Sequence, residues 1–506
     1  MSPAAFSTRA RWAVCLLFGG LLAVLAFGAW SGFPVFDDAY MVLFLREASV
    51  KALEAQHPHR PLFGLLLKWA TGAFGIQRLP YVALSTAFWA LLAWQTARLS
   101  RRLAPGAPEI AASAALLTLA PILVSTQFTT ATTVLPANLP VSLCLAAVLL
   151  GLGDDAQRLR GRIAGAAVLV AASVVVSEYG IAAGAAGVAL LAVCRRYRAA
   201  IALAVGAACG YVLFRAQADL SVRVKQSPSA QLGALLGHPH VAAVRFGEGL
   251  WDCLVGAWAG AAGAVRFSFS DRSTLLAAAA GGAAAATVVL LARRRDVESA
   301  GPFGGRGPWG LLAAIAAGIL PVVLANRSLS SGDPYESRYL LPVLPFAALA
   351  VALGLSRVTA PRYRRAALAM VAFVGAYRVV VGAFEARQEQ GRMEEIGALL
   401  RPLVQDSSGI TVAVVPDRWK LDGSDMTPKV TWKWDDAAAR RVWVMPASRA
   451  AVEFGPRVAC HGTAAIDLPP ELMATPRSGA LSHLVWLTAW GRSAGVLEPY
   501  CVLQAP

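Results

Sequence analysis

The feature that most constrains this chain is a series of long apolar runs that contain no charged residue. Residues 12–30 and 274–292 are two such runs. A helix needs about 20 apolar residues to cross a bilayer core of about 30 Å. The chain as a whole is 15% charged, whereas a soluble globular protein carries about 25% charge. The sequence therefore predicts a polytopic membrane protein of mainly α-helical class.

Apolar segments of this kind predict about eleven transmembrane helices. Arg9 and Arg11 precede the first, which is longer than the apolar core of about 7–15 residues in a cleavable signal peptide. We therefore expect an uncleaved anchor that enters from the cytoplasm. Segment 250–265 is interpreted as a juxtamembrane or re-entrant helix, because a full crossing would move Arg293–Arg295 outside. The predicted spans are 12–30, 79–99, 109–127, 134–152, 162–177, 180–194, 199–215, 274–292, 308–325, 338–355 and 366–384.

The positive charge is concentrated in short loops between these spans. The net charge is +16, and residues 385–506 contribute −1, which leaves +17 for residues 1–384. Arginine clusters in short loops are typical of the cytoplasmic side. Clusters separated by spans form no continuous basic face, which argues against nucleic-acid binding. The clusters are Arg101–Arg102, Arg158/Arg160/Arg162, Arg195–Arg196/Arg198, Arg293–Arg295 and Arg362/Arg364/Arg365.

The chain divides into a transmembrane domain, 1–384, and a tail, 385–506, without long apolar runs. The tail segments ITVAVV and RRVWVMP have the composition of short strands between polar turns. They predict a small soluble extracytoplasmic α/β domain. Cys460 and Cys501 in this domain are either a disulfide or two separate thiols. The ratio of 40 Arg to 6 Lys, with abundant Ala, favours a bacterial inner-membrane protein whose tail is periplasmic.

Two candidate sites lie in the outer loop 31–78, which also has predicted helices at 39–56 and 60–75. Asp37 and Asp38 follow the first span. One of them is a candidate general base or metal ligand, and the alternative is a helix N-cap. Arg60, after His57 and His59, is placed to bind a phosphate in bidentate geometry. The alternative for Arg60 is contact with lipid headgroups, and the His pair is a weak metal signal.

Two further candidates lie at the outer ends of later spans. Glu178 is in the sequence Ser177–Gly180, between two spans, and is either functional or part of a solvated turn. Arg338 and Tyr339 open the tenth span from outside. An arginine on the outer side runs against the positive-inside bias, so it indicates an anionic ligand or a specific ion pair. All four clusters fall on one side of the predicted membrane, which favours a reaction centre at the outer surface.

The order of these clusters resembles that of GT-C fold glycosyltransferases, membrane enzymes that use polyprenyl-phosphate sugars. Protein O-mannosyltransferases and lipid A aminoarabinose transferases belong to this superfamily. The matching segments, across about residues 10–385, are FDDAYMVLFLREA, HRPLFGLLLK, the RLP before the second span, SEYG and RYLLP. The chain has one Pro where the second motif often has two, and it lacks the Lys of the Ser-Lys-Glu-like turn.

The resemblance implies transfer of a hexose or pentose from a polyprenyl-phosphate carrier to an extracytoplasmic lipid, polysaccharide or protein. Asp37 or Asp38, with Asp37 preferred, would deprotonate the acceptor hydroxyl. Arg60 and Arg338 would neutralise the departing phosphate, and Glu178, His59 and Tyr339 would complete the donor site. Some relatives use a divalent metal beside the acidic motif, so a metal cofactor remains open for this chain.

Two other classes of function share these features. A transporter or flippase of lipid-linked sugars would have the same spans and an outer phosphate site, although transporters more often place polar residues at mid-membrane. A non-enzymatic membrane assembly protein would use the tail as a docking module and would tolerate Asn at Asp37 and Asp38.

Overall fold

A computed structural model describes most of the apolar segments and part of the tail. The described residues are 8–32, 61–74, 78–119, 131–153, 159–217, 237, 239–256, 272–292, 306–324, 339–358, 360–400, 411–415, 419–421, 424–426, 431–435, 440–446, 457–458, 466–467 and 502–504. The chain forms two compact units. The first comprises residues 1–29 and 45–384, and the second comprises residues 30–44 and 385–506.

The structure is mainly helical, as the sequence predicts. The helices are α1 (Thr8–Gly32), α2 (Pro61–Phe74), α3 (Arg78–Leu103), α4 (Pro108–Leu119), α5 (Ala131–Gly151), α6 (Leu159–Val176), α7 (Tyr179–Val193), α8 (Tyr197–Gln217), α9 (Pro239–Trp251), α10 (Arg272–Ala292), α11 (Arg306–Leu324), α12 (Leu344–Leu355) and α13 (Pro361–Leu400). A π-helical turn, Asp252–Gly256, follows α9.

Five of the described helices are long and apolar enough to cross a membrane. The qualifying segments are Trp12–Trp30, Tyr197–Ala216, Thr274–Ala292, Arg306–Leu324 and Pro361–Phe384. Four shorter apolar helices, Pro108–Leu119, Ala137–Gly151, Tyr179–Val193 and Leu344–Leu355, accompany them. Together these helices support a membrane-embedded protein.

Small residues allow the helices of the first unit to approach closely. Gly206 and Gly210 of α8 are four residues apart and face α6. A Cβ on Gly206 would lie 2.9 Å from Ala167 Cα, and one on Gly210 would lie 2.6 Å from the Ala171 carbonyl oxygen. This is the small-xxx-small contact common between membrane helices. Its effect is to hold α6 and α8 side by side with almost no side chain between them.

Helices α7 and α11 pack antiparallel at the centre of the buried core. A Cβ on Gly310, near the start of α11, would lie 2.9 Å from Leu190 Cδ1 near the end of α7. A Cβ on Gly318, two turns later, would lie 3.2 Å from the Ala182 carbonyl oxygen near the start of α7. The two contacts define the ends of the bundle, because each brings one terminus of α7 together with the opposite terminus of α11.

Arginines gather at one end of the bundle, which we call the basic end. It contains the last turns of α5, α7 and α12 and the first turns of α6, α8 and α11. Arg162 donates a hydrogen bond to the Leu150 carbonyl, and a Cβ on Gly151 would lie 3.1 Å from Ala199 Cβ. A Cβ on Gly307 would lie 4.0 Å from Leu353 Cδ2. The described arginines of this end are Arg160, Arg162, Arg195, Arg196, Arg198, Arg306, Arg357, Arg362, Arg364 and Arg365.

Exposed aromatic rings accompany these arginines. Tyr197, Trp309 and Tyr363 lie in the first turns of α8, α11 and α13 and are between 57% and 68% exposed. The Arg362 guanidinium lies 4.7 Å from the centre of the Tyr363 ring. Trp and Tyr are enriched where membrane helices meet the headgroup region. The basic end therefore has the composition of a membrane–water interface.

The second unit contains the described strands of the chain. They are β1 (Thr411–Val415), β2 (Trp419–Leu421), β3 (Ser424–Met426), β4 (Thr431–Asp435), β5 (Arg440–Pro446), β6 (Arg457–Val458), β7 (Ile466–Asp467) and β8 (Val502–Gln504). Four form a sheet in the order β4-β5-β1-β8. Strands β1 and β5 are parallel, with Val412 opposite Trp443, while β4 and β8 are antiparallel to their neighbours. Thr411–Val415, within the segment ITVAVV, and the segment RRVWVMP thus form the two central strands.

Candidate functional site

The sequence-predicted site residues are only partly within the described structure. Asp37, Asp38, His59, Arg60 and Arg338 lie outside the described residues, as do Cys460 and Cys501. Glu178 and Tyr339 are described. The structure therefore describes parts of the SEYG and RYLLP segments, while the roles of Asp37, Asp38 and Arg60 stay predictions from sequence.

The SEYG and RYLLP segments are in contact through a pair of stacked tyrosines. The rings of Tyr179, from the SEYG segment, and Tyr339, from the RYLLP segment, have centroids 5.7 Å apart and an interplanar angle of 14°. Both side chains are buried. Aromatic pairs in this arrangement contribute about 0.5–1.5 kcal/mol beyond the burial of their area. The stack joins two segments that are 160 positions apart in the chain.

The SEYG segment forms a tight turn between α6 and α7. The Gly180 N–H donates to the Ser177 carbonyl at 2.9 Å, and the Ile181 N–H donates to the Glu178 carbonyl at 3.1 Å. Glu178 is the N-cap residue of α7, and its side chain makes no capping hydrogen bond. The Glu178 side chain is half-buried and engages other groups of the protein. The turn thus holds a carboxylate at the end of the bundle opposite the basic end.

Gly180 is required by the close approach of α6. A Cβ at this position would overlap the backbone carbonyl of Ser173 and would lie 2.6 Å from Ser173 Oγ. Backbone atoms cannot move aside without shifting the helix that carries them. The glycine therefore fixes the distance between the SEYG turn and α6.

A buried polar cluster, formed by Ser173, Cys144 and nearby backbone carbonyls, holds the SEYG turn in place. The Ser173 hydroxyl donates to the Pro140 carbonyl at 2.8 Å, and the Cys144 thiol donates to Ser173 Oγ at 3.1 Å. Cys144 Sγ also lies 3.8 Å from the Gly180 carbonyl oxygen. Hydrogen bonds between buried side chains and backbone give a packing arrangement one defined geometry. The cluster ties α5, α6 and the start of α7 together.

The segment that carries Tyr339 is held by α11. Residues Tyr339–Val343 form a turn before α12, and the Val343 N–H donates to the Leu340 carbonyl at 3.0 Å. A Cβ on Gly318 would overlap Val343 Cγ1. Tyr339 therefore rests on the same helix that packs against the start of α7. We call the region formed by Pro140–Cys144, Ser173–Gly180, Gly318 and Tyr339–Val343 the motif end.

Three charged side chains of the described residues differ in their exposure. Glu178 is half-buried, Arg215 is exposed at the end of α8, and Arg378 of α13 is buried. The described part of the chain contains no group of three or more His, Cys, Asp or Glu that could hold a metal ion. Among the described residues of the motif end, Glu178 is the carboxylate whose position the turn defines.

Sequence reasoning missed two kinds of residue at this end. Ser173 and Cys144 fall within the predicted spans 162–177 and 134–152, and the local sequence gives no sign that they contact a turn. Arg378 lies within the predicted span 366–384, and a cation inside an apolar run is itself a signal of function. Arg378 could have been found by inspecting that span alone.

Comparison of the whole chain with protein-family models, curated proteins and solved structures gives no match in any of the three.

Proposed function

We propose that this protein is an integral membrane glycosyltransferase of GT-C type, using a polyprenyl-phosphate sugar as donor. The chain crosses a bacterial inner membrane about eleven times, with the basic end cytoplasmic and the motif end periplasmic. The tail, 385–506, is a soluble periplasmic α/β domain. The acceptor is an extracytoplasmic lipid, polysaccharide or protein.

The observation that carries this proposal is the stacking of Tyr179 on Tyr339. It brings the SEYG and RYLLP segments of the resemblance together, at the bundle end opposite the arginine clusters. Glu178 precedes one ring and Arg338 precedes the other in sequence. A transfer reaction on a lipid phosphate takes place at the membrane surface, because the phosphate cannot leave that surface.

In the proposed reaction, an acceptor hydroxyl attacks the anomeric carbon of the donor sugar. Asp37 accepts the hydroxyl proton, with Asp38 as the second candidate. The bond between the anomeric carbon and the phosphate oxygen breaks, and the polyprenyl phosphate leaves with the electron pair. Arg60 and Arg338 stabilise the negative charge that develops on the phosphate. Glu178, His59 and Tyr339 position the donor.

The test compares purified wild-type protein with the Asp37→Asn and Asp38→Asn variants. Release of polyprenyl phosphate from radiolabelled polyprenyl-phosphate sugars is measured with membrane extracts as the acceptor source, with and without divalent metals. We expect one variant to bind donor and to lose at least about a hundredfold in rate, the scale of a general base. Glu248→Gln is the matched control, because it neutralises an exposed carboxylate of α9 that has no part in the proposed reaction.

Two results would count against the proposal. If no donor is turned over by the wild-type protein although it binds donors, a transporter of lipid-linked sugars becomes the better interpretation. If both Asn variants transfer sugar at the wild-type rate, neither aspartate is the base.

A further inference from the structure

The loop between α7 and α8 holds an arginine in a backbone conformation that favours glycine. Arg195 has a φ of 60°, and among the described residues it is the one non-glycine residue with a positive φ. The Arg195 N–H donates to the Ala192 carbonyl at 2.9 Å, and the Arg196 N–H donates to the Leu191 carbonyl at 2.8 Å. These two hydrogen bonds define a Schellman motif, in which the left-handed position is usually glycine.

The side chain of Arg195 gives the fold little in return for this conformation. A left-handed backbone is costly for a residue with a Cβ, and the side chain is exposed, so packing does not offset the cost. Positive charge at the end of a helix is favourable, but Arg196 and Arg198 already supply it within the same loop. What arginine adds over glycine at position 195 is an exposed guanidinium.

The start of α11 brings a further arginine to this loop. The charges of Arg196 and Arg306 both act on the thiol of Cys194, at the end of α7. A Cβ on Gly310, one turn after Arg306, would lie 3.6 Å from Cys194 Sγ. The first turn of α11 therefore packs against the end of α7, with Arg306 next to the loop. We call the four residues the arginine group: Arg195, Arg196, Arg198 and Arg306.

Aromatic side chains place the arginine group at the depth of lipid headgroups. Tyr197 and Trp309 lie within one turn of the group and are 58% and 68% exposed. Helices α8 and α11 are both long and apolar enough to cross a membrane, and both begin at the group. Trp and Tyr are enriched where such helices leave the hydrocarbon core. The anions within reach of the group are therefore the phosphates of membrane lipids.

We propose that the arginine group binds cardiolipin, an anionic lipid with two phosphates in one headgroup. Two phosphates on one molecule contact the α7–α8 loop and the start of α11 at the same time, and each phosphate matches the planar fork of a guanidinium. Basic sites between membrane helices suit such a headgroup. The acyl chains lie along exposed apolar residues of α8, such as Ile201 and Val205. The inference depends on membrane embedding and not on sugar transfer.

Arg101 provides the matched control. It is also exposed, and it lies in the last turn of α3 with regular helical backbone, beside Arg102. Any exposed arginine near a membrane is attracted to anionic lipids in general. Comparing Arg101 with Arg195 therefore separates a defined binding site from the general attraction of positive charge.

The test measures dissociation constants of the purified full-length protein for cardiolipin and phosphatidylglycerol by native mass spectrometry. We expect the wild-type protein to bind cardiolipin about tenfold more tightly than phosphatidylglycerol, which has one phosphate. Arg195→Gly should weaken cardiolipin binding by about threefold to tenfold, the scale of one charged hydrogen bond. Arg306→Gln should cause a loss of the same size, and Arg101→Gln should match the wild type.

The stability of Arg195→Gly should change in the opposite direction to its affinity. Glycine adopts a φ of 60° without strain, so the apparent Tm of the variant, measured without added lipid, should equal or exceed that of the wild type. Loss of binding would then not result from misfolding. A lower Tm would show that Arg195 is retained for the fold, and this would overturn the argument from its backbone conformation.

Four outcomes of the binding measurements would overturn the proposal. Unchanged cardiolipin affinity in Arg195→Gly or in Arg306→Gln would show that the loop and α11 do not form one site. An equal loss in Arg101→Gln would leave only general attraction of charge. Equal binding of phosphatidylglycerol and cardiolipin by the wild-type protein would exclude a site for two phosphates. If pyrophosphate binds the detergent-solubilised protein as tightly as cardiolipin does, the ligand is a soluble anion and not a lipid.

Discussion

The two ends of the helical bundle are built from the same helices but in opposite ways. At the basic end, arginines and aromatic rings such as Tyr197 and Trp309 project outward. At the motif end, Tyr179 and Tyr339 are buried against each other, and a carbonyl of α6 occupies the space beside Gly180. The first arrangement suits contact with headgroups and water. The second suits the fixed placement of a few polar groups.

The two ends also differ in how much free energy of unfolding would be lost if one of their contacts were removed. The Arg362–Tyr363 contact at the basic end is exposed and is worth about 0.5–1 kcal/mol at such a site. The contacts at the motif end involve backbone atoms and buried hydrogen bonds. We therefore expect substitutions at the motif end to lower the stability of the protein much more than substitutions at the basic end.

The largest expected effect concerns the sidedness of the two ends. Arg198 and Arg215 are exposed residues near the two ends of α8, a helix long enough to cross the membrane. If the ends face opposite compartments, Arg215→Cys should react with a membrane-impermeant maleimide in intact bacterial cells. Arg198→Cys should react only after lysis. The measurement is maleimide labelling of protein expressed in a bacterial host.

Native Cys15 and Cys209 are also exposed, and Cys460 and Cys501 lie in the tail, so both variants need a background in which these four cysteines are replaced by alanine. Labelling of Arg198→Cys alone in intact cells would reverse the orientation. Labelling of both residues in intact cells would show that α8 does not cross the membrane. The two ends of the bundle would then not face opposite compartments.

The second expected effect is the loss of stability when one methyl group is added at each end of the bundle. Gly180→Ala at the motif end would place its Cβ against the Ser173 carbonyl, and we expect a loss of about 3 kcal/mol or more. Gly310→Ala at the basic end meets chiefly Leu190 Cδ1 at 2.9 Å, the far end of a side chain that can rotate. We expect Gly310→Ala to change stability by less than about 1 kcal/mol. Thermal unfolding of the purified variants measures both.

Gly282→Ala serves as the control for this comparison. It adds the same methyl group where no described atom lies within 4 Å, and alanine favours helix over glycine. Its apparent Tm should equal or exceed that of the wild type. If Gly180→Ala unfolds at the same temperature as Gly310→Ala, the motif end is not the rigid part of the bundle.

What the sequence predicts correctly depends on how far apart in the chain the interacting residues are. Apolar runs such as 12–30 and 274–292 predict helices α1 and α10, because the run itself determines what the segment must bury. The mainly helical class is confirmed on this basis, and five described helices are long and apolar enough to be embedded in a membrane. The count of eleven spans stays a prediction, since five described helices meet the length and apolarity needed to cross.

The candidate site was less accessible from sequence because its contacts are distant along the chain. The patterns SEYG and RYLLP were recognised separately as outer-end motifs. Nothing in either pattern states that Tyr179 would stack on Tyr339 or that Ser173 would approach Gly180. Those contacts depend on how α7 and α11 pack, through Gly310 and Gly318. The roles assigned to Asp37, Arg60 and Arg338 stay predictions from sequence.

The smallest effect tests whether the tyrosine stack couples the two motifs. Tyr179→Leu and Tyr339→Leu keep most of the buried volume but remove the ring pair. In a double-mutant cycle, we expect a coupling of about 1 kcal/mol in stability. We also expect each variant to weaken undecaprenyl phosphate binding, because Glu178 and Arg338 are adjacent in sequence to the two rings. Thermal unfolding and native mass spectrometry provide the two measurements.

The phenylalanine variants separate the ring from the hydroxyl group. Tyr179→Phe and Tyr339→Phe retain the stacked rings, so a double-mutant cycle built from them should show almost no coupling, because only the hydroxyl groups are removed. If the Phe variants behave like the Leu variants, the hydroxyl groups and not the stack connect the two segments. If the Leu variants show additive effects on stability and unchanged donor affinity, the tyrosines pack together without coupling the motifs. In that case the motif end would differ from the basic end in rigidity alone.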